Sequence, residues 1–180
     1  VLIAEFGEER RDFIAISETP QQMINAILSI EDRRFFEHPG IDIIGITRAA
    51  LKNISGKSHE GASTITMQVA RNFFLTSEKT LKRKINEILL AIKIERTLSK
   101  EEILELYVNQ IYLGQRSFGF AAAANTYFGK NLDQLNLGET ALLAGLPKAP
   151  SRYNPLVRPH LAIKRQQDVL NSMLRHGYID

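Results

Sequence analysis

The chain of 180 residues contains no cysteine, which excludes disulfides and thiolate metal sites. Its four histidines lack the spacing of a metal-binding motif such as HExxH, so we do not expect a transition-metal enzyme. No run approaches the ~18 apolar residues of a membrane-spanning helix. No signal peptide is visible either, and because the chain begins at Val1 without a methionine we expect residues upstream of it.

The overall composition is that of an ordinary globular domain, with 44% hydrophobic and 24% charged residues. The length suits one domain with a substantial core, so we assign residues 1–180 to a single domain. The net charge is +3, and basic residues are dense between Lys79 and Lys93. This density indicates an anionic partner, for which phosphate, a membrane surface and nucleic acid remain open.

The residue pattern predicts a mainly helical fold with a small N-terminal β hairpin formed by residues 1–7 and 10–16. Ser99 and Glu102 form a capping box, and Gly129 and Gly177 are typical helix stops. The clearest amphipathic periodicity is that of Leu81, Ile85, Ile88, Leu89 and Ile92. Helices are predicted to begin near Pro20 and to cover residues 42–51, 64–74, 81–92, 100–111, 118–128, 137–146 and 159–176.

Glu31 interrupts an apolar helical stripe. Ile24, Ile27 and Leu28 define the stripe, and Glu31 lies within about 20° of Ile24 around the helix axis. A frayed helix end with a solvated carboxylate explains this equally well from the pattern alone. Because Phe35 and Phe36 follow at once, we instead expect an apolar environment that raises the pKa of Glu31 and suits it to proton transfer.

A second group of interest is the basic segment that contains Arg83, Lys84 and Glu87. These residues lie three and four positions apart, so their side chains share one helix face. A solvated flank of ion pairs is the ordinary interpretation, but six basic residues occur within 23 positions. Such a cluster could hold a diphosphate. The six residues are Arg71, Lys79, Lys82, Arg83, Lys84 and Lys93.

Small polar residues follow Gly61 at the start of a predicted helix, in the segment GASTITMQVARNFF. The free N–H groups of a helix start favour anions, although Ser63 and Thr64 also suit plain helix caps.

Five motifs in order resemble those of the peptidoglycan glycosyltransferase domain (glycosyltransferase family 51) of bifunctional class A penicillin-binding proteins. The pattern EDxxFxxHxG is met from Glu31 to Gly40, and GASTITMQ from Gly61 to Gln68 is similar to GxSTITQQ. RKxxE is met from Arg83 to Glu87. KxxILxxYxN is met from Lys100 to Asn109, and RxxxVL from Arg165 to Leu170.

The resemblance implies a lysozyme-like, two-lobed helical domain that polymerises lipid II with inversion into β-1,4-linked glycan and releases undecaprenyl diphosphate. On this template the catalytic residues are Glu31, as general base, and Glu87. The resemblance extends to substrate-binding positions on the cleft. These are Asp32, Arg48, Ser63, Gln68, Arg71, Asn72, Lys79, Arg83 and Lys84.

The partners that the resemblance implies are lipid II, the lipid-linked glycan strand, the membrane surface and the inhibitor moenomycin, and not nucleic acid. No cofactor is expected to be tightly bound, although a divalent cation such as Mg²⁺ is possible at Glu87. The expected location is the outer face of the bacterial cytoplasmic membrane, with an anchor outside this chain. Phe73, Phe74 and Leu75 are candidates for contact with the bilayer.

Met67 departs from the family pattern, which has glutamine there. Its spacing from Ile65 and Ala70 predicts packing in the core, which leaves Gln68 as the substrate contact. No SxxK, SxN or KTG pattern is present, so we do not expect this chain to bind β-lactams. The alternative functions are a lysozyme-like lytic enzyme, which has no evident use for the basic cluster, and a basic binding module, which does not explain Glu31.

Overall fold

The structure, a computed structural model, describes residues 9–54, 63–74 and 80–180, with the backbone alone for residues 49–54. The described residues are mainly helical, as the sequence predicts. The helices are α1 (Gln21–Glu31), α2 (Ile43–Ile54), α3 (Ile65–Phe74), α4 (Leu81–Glu95), α5 (Lys100–Gln110), α6 (Phe120–Phe128), α7 (Leu137–Gly145) and α8 (Pro159–Arg175).

Local capping explains where several helices begin and end. The predicted capping box at the start of α5 is present: Ser99 Oγ accepts from the Glu102 N–H, and Glu102 accepts from the Ser99 N–H. Asn136 and Glu139 form the same arrangement at α7. Gly129 ends α6 in the left-handed conformation, with φ of 63°, which a side chain would disfavour.

The small sheet pairs two short strands, β1 (Arg10–Arg11) and β2 (Ser117–Phe118). The pairing is parallel, with Arg10 opposite Ser117. Residues 10–16 of the predicted hairpin thus contribute Arg10 and Arg11 to a sheet, while the hairpin pairing itself stays a prediction. The first predicted strand, residues 1–7, lies outside the described residues.

The core lies where α1, α5, α7 and α8 meet, and α3 packs between α4 and α5. Most of the buried side chains are apolar, and Met67 is among them at 1% exposure. The prediction that Met67 packs in the core is therefore confirmed. The largest core side chains include Tyr107, Phe35, Phe120, Met23, Ile27 and Ile65.

Helix α4 exposes several apolar residues, whereas an amphipathic helix ordinarily buries its apolar face. Leu81, Ile85 and Leu89 form its apolar stripe, and they are 86%, 58% and 60% exposed. Glu87, by contrast, is fully buried. The inward side of the helix therefore carries a buried carboxylate together with Ala91, while part of the apolar stripe lies on the surface.

Among the described residues, no helix is both long enough and apolar enough to cross a membrane.

Candidate active site

Glu31 is the last residue of α1, and its side chain is only 11% exposed. Oε2 accepts a hydrogen bond from Gln68 Nε2 on α3 at 3.0 Å. Oε1 lies 3.5 Å from Arg165 Nη2 on α8. The helix has not frayed before this residue, so the carboxylate continues the buried side of α1 as the periodicity predicts.

Burial raises the pKa of Glu31, because the charged form loses solvation. The Gln68 hydrogen bond and the positive charges of Arg165, Lys148 and Arg71 act in the opposite direction. Burial is the larger effect, so the pKa remains above its ordinary value. The carboxylate therefore combines greater basicity with enough positive charge nearby to ionise, which is what a general base needs.

Asp32 lies beside the base but is directed into the protein, with its side chain 3% exposed. His38 Nδ1 accepts from the Gly40 N–H, so Nε2 carries the hydrogen and donates to Asp32 at 2.9 Å. Asp32 also accepts from the N–H of Ile65, the first residue of α3. These contacts join α1 to the start of α3, and the assignment of Asp32 to substrate contact stays a prediction.

Gly40, the last residue of the first motif, has a backbone conformation and close neighbours that disfavour a side chain. Its φ is +89°, and a Cβ there would lie 2.9 Å from Glu95 Cγ and 3.1 Å from the Ala91 carbonyl oxygen. Thr64 donates to the Gly40 carbonyl oxygen at 2.7 Å and accepts from the Met67 N–H as the cap of α3. The motif residues after Glu31 thus hold α3 against the end of α1.

Glu87 forms the centre of a second charged group. Lys84 Nζ donates to its Oε1 at 2.8 Å, and Arg83 Nη1 approaches its Oε2 at 3.3 Å. Lys84 Nζ also donates to Ser63 Oγ at 2.7 Å. Because Glu87 is fully buried, this is not the solvated flank that an isolated helix would show. Arg83 Nε is itself buried and has no hydrogen-bond partner among the described residues.

The surroundings of Glu87 do not suit a divalent cation. Both carboxylate oxygens already face cationic groups, which a bound Mg²⁺ would have to displace or repel. Among the described residues no cluster of three acidic, histidine or cysteine side chains could complete a coordination sphere. We therefore assign no catalytic step to a metal at this position.

Helix α3 links the two groups. Gln68 on α3 contacts Glu31, and Ser63, just before the helix, contacts Lys84. Ser63 and Gln68 lie five positions apart in the chain. Arg71 lies on α3 as well and contributes positive charge at Glu31. Helix α3 and Ser63 just before it therefore connect the carboxylate of α1 with the cations of α4.

The remaining predicted site residues are Asn72, Arg48 and Lys79. Asn72 is exposed at the end of α3, where it borders a shallow pocket with Gln110 and Tyr112. Arg48 on α2 lies near His176, whose pKa is lowered by burial and then by the positive charges of Arg33, Arg175 and Arg48. Lys79 lies outside the described residues. For these three residues a role in substrate binding stays a prediction.

Three residues near Glu31 had no chemical role in the sequence interpretation. Arg165 stood in the fifth motif, but no pattern indicated that it reaches Glu31 across 134 residues. Lys148 contributes positive charge at Glu31 from the segment after α7. Tyr107 is buried, and within the described residues its hydroxyl has no hydrogen-bond partner. Burial, followed by the charge of Glu31, raises its pKa well above 10.0. Periodicity assigns Tyr107 to the core and cannot identify these contacts.

The chain is similar to known proteins over nearly its whole length. The family described as Transglycosylase matches residues 1–174. Penicillin-binding protein 1A of Neisseria gonorrhoeae is 56% identical over 179 residues, which are 99% of this chain and 22% of that protein. Penicillin-binding protein 1A of Pseudomonas aeruginosa PAO1 is 56% identical over 180 residues, also 99% of this chain and 22% of that protein.

Among solved structures, the crystal structure of penicillin-binding protein 1A from Haemophilus influenzae matches with a TM-score of 0.57 and 32% sequence identity. The match covers 99% of this chain and 17% of that protein. The chain thus spans about a fifth of the length of the relatives that it matches.

Proposed function

From the premise that the chain belongs to the transglycosylase family of peptidoglycan glycosyltransferases, we propose that it polymerises lipid II into β-1,4-linked glycan strands. The growing lipid-linked strand is the donor, and the 4-hydroxyl of the incoming lipid II is the nucleophile. The reaction inverts the anomeric centre and releases undecaprenyl diphosphate. This reaction belongs to the synthesis of the bacterial cell wall.

The observation that carries the proposal is that α3 and Ser63 just before it contact both a buried base on α1 and a group of cations on α4. Glu31 takes the proton of the acceptor hydroxyl while the oxygen of that hydroxyl attacks the anomeric carbon of the donor. The bond from that carbon to the diphosphate oxygen breaks, and the electron pair leaves with the diphosphate. Attack from the face opposite the leaving group accounts for inversion.

The cations near Ser63 suit the departing diphosphate. Lys84 supplies a point charge, while Arg83 offers a planar guanidinium. Negative charge grows on the leaving group in the transition state, so cations fixed in advance stabilise it most. Arg71 and the predicted residue Lys79 are further candidates for this contact.

Glu87 acts in this proposal through Arg83 and Lys84. It is fully buried and faces both cations, so it orients their side chains. This differs from direct proton transfer by Glu87.

Helix α4 provides the surface through which the domain contacts the lipid bilayer. Its exposed stripe of Leu81, Ile85 and Leu89 lies on the helix that carries Arg83 and Lys84. Phe73 and Phe74, 43% and 62% exposed, lie at the end of α3 and extend the apolar surface. Because the substrate's lipid stays in the membrane, we propose that the diphosphate cations lie near the headgroups, at the outer face of the cytoplasmic membrane.

Moenomycin, which resembles the lipid-linked donor, is proposed to bind at the same cations. A lytic enzyme that cleaves glycan is the alternative function. Hydrolysis of a glycan releases no diphosphate, so the inward-facing cations of α4 favour synthesis over cleavage.

The deciding experiment incubates the protein with lipid II in detergent and follows polymer by gel or chromatography. We expect the wild type to form glycan strands and Glu31→Gln to lose at least about 10²-fold in rate, because the base is removed. The matched control is Glu101→Gln, which changes an exposed glutamate on α5 and should leave the rate unchanged. Cleavage of preformed glycan without polymer formation would instead establish the lytic alternative.

A further inference from the structure

Arg165 is a buried guanidinium that connects the main chain of α7 to Glu31. Its side chain is 7% exposed, and Nε donates to the Gly145 carbonyl oxygen at 3.2 Å. Nη2 lies 3.5 Å from Glu31 Oε1, and Nη1 lies 3.9 Å from Asp168 on the same helix. One edge of the guanidinium is therefore held by the backbone while another faces the proposed base.

The position of Arg165 is set by packing as well as by hydrogen bonding. A Cβ added at Gly145 would lie 2.8 Å from Arg165 Cγ and 3.5 Å from Val169 Cγ2. The absence of a side chain at Gly145 thus lets the stem of Arg165 cross the end of α7. Because the stem and Nε are both held, the guanidinium keeps its direction without depending on Glu31.

The two oxygens of Glu31 are not equivalent. Oε2 accepts a hydrogen bond of ordinary length from Gln68, at 3.0 Å. Oε1 faces Arg165 at 3.5 Å, a distance at which the charges attract but the hydrogen bond is weak. Oε1 therefore has the greater remaining capacity to accept a proton from a substrate hydroxyl.

We propose that Arg165 is a positioning residue that keeps Glu31 ionised and turns Oε1 toward the acceptor hydroxyl, while Gln68 holds Oε2. This inference rests on the proposed function, because it concerns the base of that reaction. Arg165 itself touches neither reacting atom in this arrangement. Its role is to offset the burial of Glu31 without consuming the oxygen that takes the proton.

Other charged and titratable groups also face Glu31, and their effects on its ionisation must be distinguished from that of Arg165. Arg71 approaches from α3 and Lys148 from the segment after α7, and both add positive charge. Tyr107 faces Glu31 from α5, and Asp32 follows it in the chain. Among the cations that act on Glu31, Arg165 has the largest influence, so its removal should have the largest effect on ionisation.

The test compares Arg165→Met with Lys164→Met, which removes the same charge from an exposed position on α8. The rate of lipid II polymerisation is measured from pH 5.5 to 9. Without the guanidinium Glu31 binds its proton more tightly, so the acid limb of the profile moves to higher pH. We expect Arg165→Met to lose about tenfold more activity at pH 6 than at pH 8, relative to wild type. Lys164→Met should keep the wild-type profile.

Arg165→Lys separates charge from geometry. It retains the positive charge but loses the fork that binds the Gly145 carbonyl oxygen and Glu31 together. We expect its acid limb to stay near that of the wild type while kcat falls at every pH. Thermal melting identifies any variant that does not fold. In that case Gly145→Ala, which displaces the Arg165 stem without removing a charge, should produce the shifted acid limb.

A direct titration distinguishes failure of this inference from failure of the proposed function. The ¹³C signal of the Glu31 carboxyl is followed by NMR in wild type and Arg165→Met without any substrate. A higher titration midpoint in the variant supports the role of Arg165 in ionisation even if no polymer forms. Equal midpoints together with parallel pH profiles would overturn the inference, even where wild-type protein polymerises lipid II.

Discussion

At the scale of single residues, the buried carboxylate of Glu31 suits the proposed chemistry but lowers the stability of the folded state when it is ionised. Its pKa is raised mainly by burial, so the folded protein binds this proton more tightly than the unfolded chain does. The ionised carboxylate therefore weakens the folded state above its folded pKa, and stability falls as pH rises through the interval from 4.5 to that pKa. Such conflicts are typical of active sites.

The prediction is that Glu31→Gln is more stable than the wild type at pH 8. The amide removes the buried charge and can still accept from Gln68, so we expect Tm to rise by about 2–4 °C. Below pH 4.5 both the folded and unfolded wild type hold the proton, and the difference should disappear.

Thermal unfolding of both proteins at pH 4 and pH 8 checks this prediction, and Glu101→Gln serves as the exposed control. A difference in Tm that is the same at both pH values would contradict the sign derived from burial. The experiment measures stability alone and does not depend on substrate.

At the scale of secondary-structure elements, α4 has two chemically different faces. Its inner face holds Glu87 with Arg83 and Lys84, and its outer face exposes Leu81, Ile85 and Leu89. An apolar stripe beside basic residues is the pattern of helices that lie in a membrane interface. The same helix would then bring the bilayer and the diphosphate cations together.

The prediction is that Ile85→Ser combined with Leu89→Ser weakens binding to liposomes that contain anionic lipid. Each side chain contributes apolar area to the bilayer, so we expect the partition coefficient to fall by about tenfold or more. Because both residues are exposed, Tm should change little.

Liposome co-sedimentation measures this effect. The matched control is Ile163→Ser combined with Leu174→Ser, two exposed apolar residues on α8 at 50% and 52% exposure. Equal losses in both double variants would mean that binding follows general hydrophobicity and not the α4 surface.

At the scale of the whole molecule, the site depends on how α1, α3 and α8 are held together. Asp32 and His38 join the end of α1 to the start of α3, and Ser172 Oγ donates to the Ser29 carbonyl oxygen at 2.6 Å, which joins α8 to α1. The residues around Glu31 are thus separate in the chain and adjacent only in the folded molecule.

The prediction is that Asp32→Asn destabilises the whole domain. Asp32 accepts from both His38 Nε2 and the Ile65 N–H, whereas an amide places one of its own donors against a donor. We expect a loss of about 2 kcal/mol in the free energy of unfolding, or about 4–8 °C in Tm.

Denaturant titration measures this loss, with Asp133→Asn as an exposed control. A substrate-binding role without a structural one would lower activity and leave the unfolding curve unchanged. Asp32→Asn therefore also decides between the predicted substrate contact and the observed structural contacts.

The sequence by itself determined most of the helices and the identity of Glu31 as the unusual carboxylate. Helix caps such as Ser99 with Glu102 act within a few residues, and an apolar period is a property of one segment, so both can be recognised without tertiary structure. The motifs also indicated the family, because they bring the same residue types to the same spacing.

Only the tertiary structure decided which face of α4 is buried, how β1 pairs, and which groups surround Glu31. Periodicity indicates that a helix has an apolar face but not whether protein or a membrane covers it. The contact of Arg165 with Glu31 spans 134 residues, and the parallel pairing of Arg10 with Ser117 is similarly distant in the chain. Such contacts depend on the packing of whole helices, because it is packing that sets the distances between charges and hence the proton affinity of the proposed base.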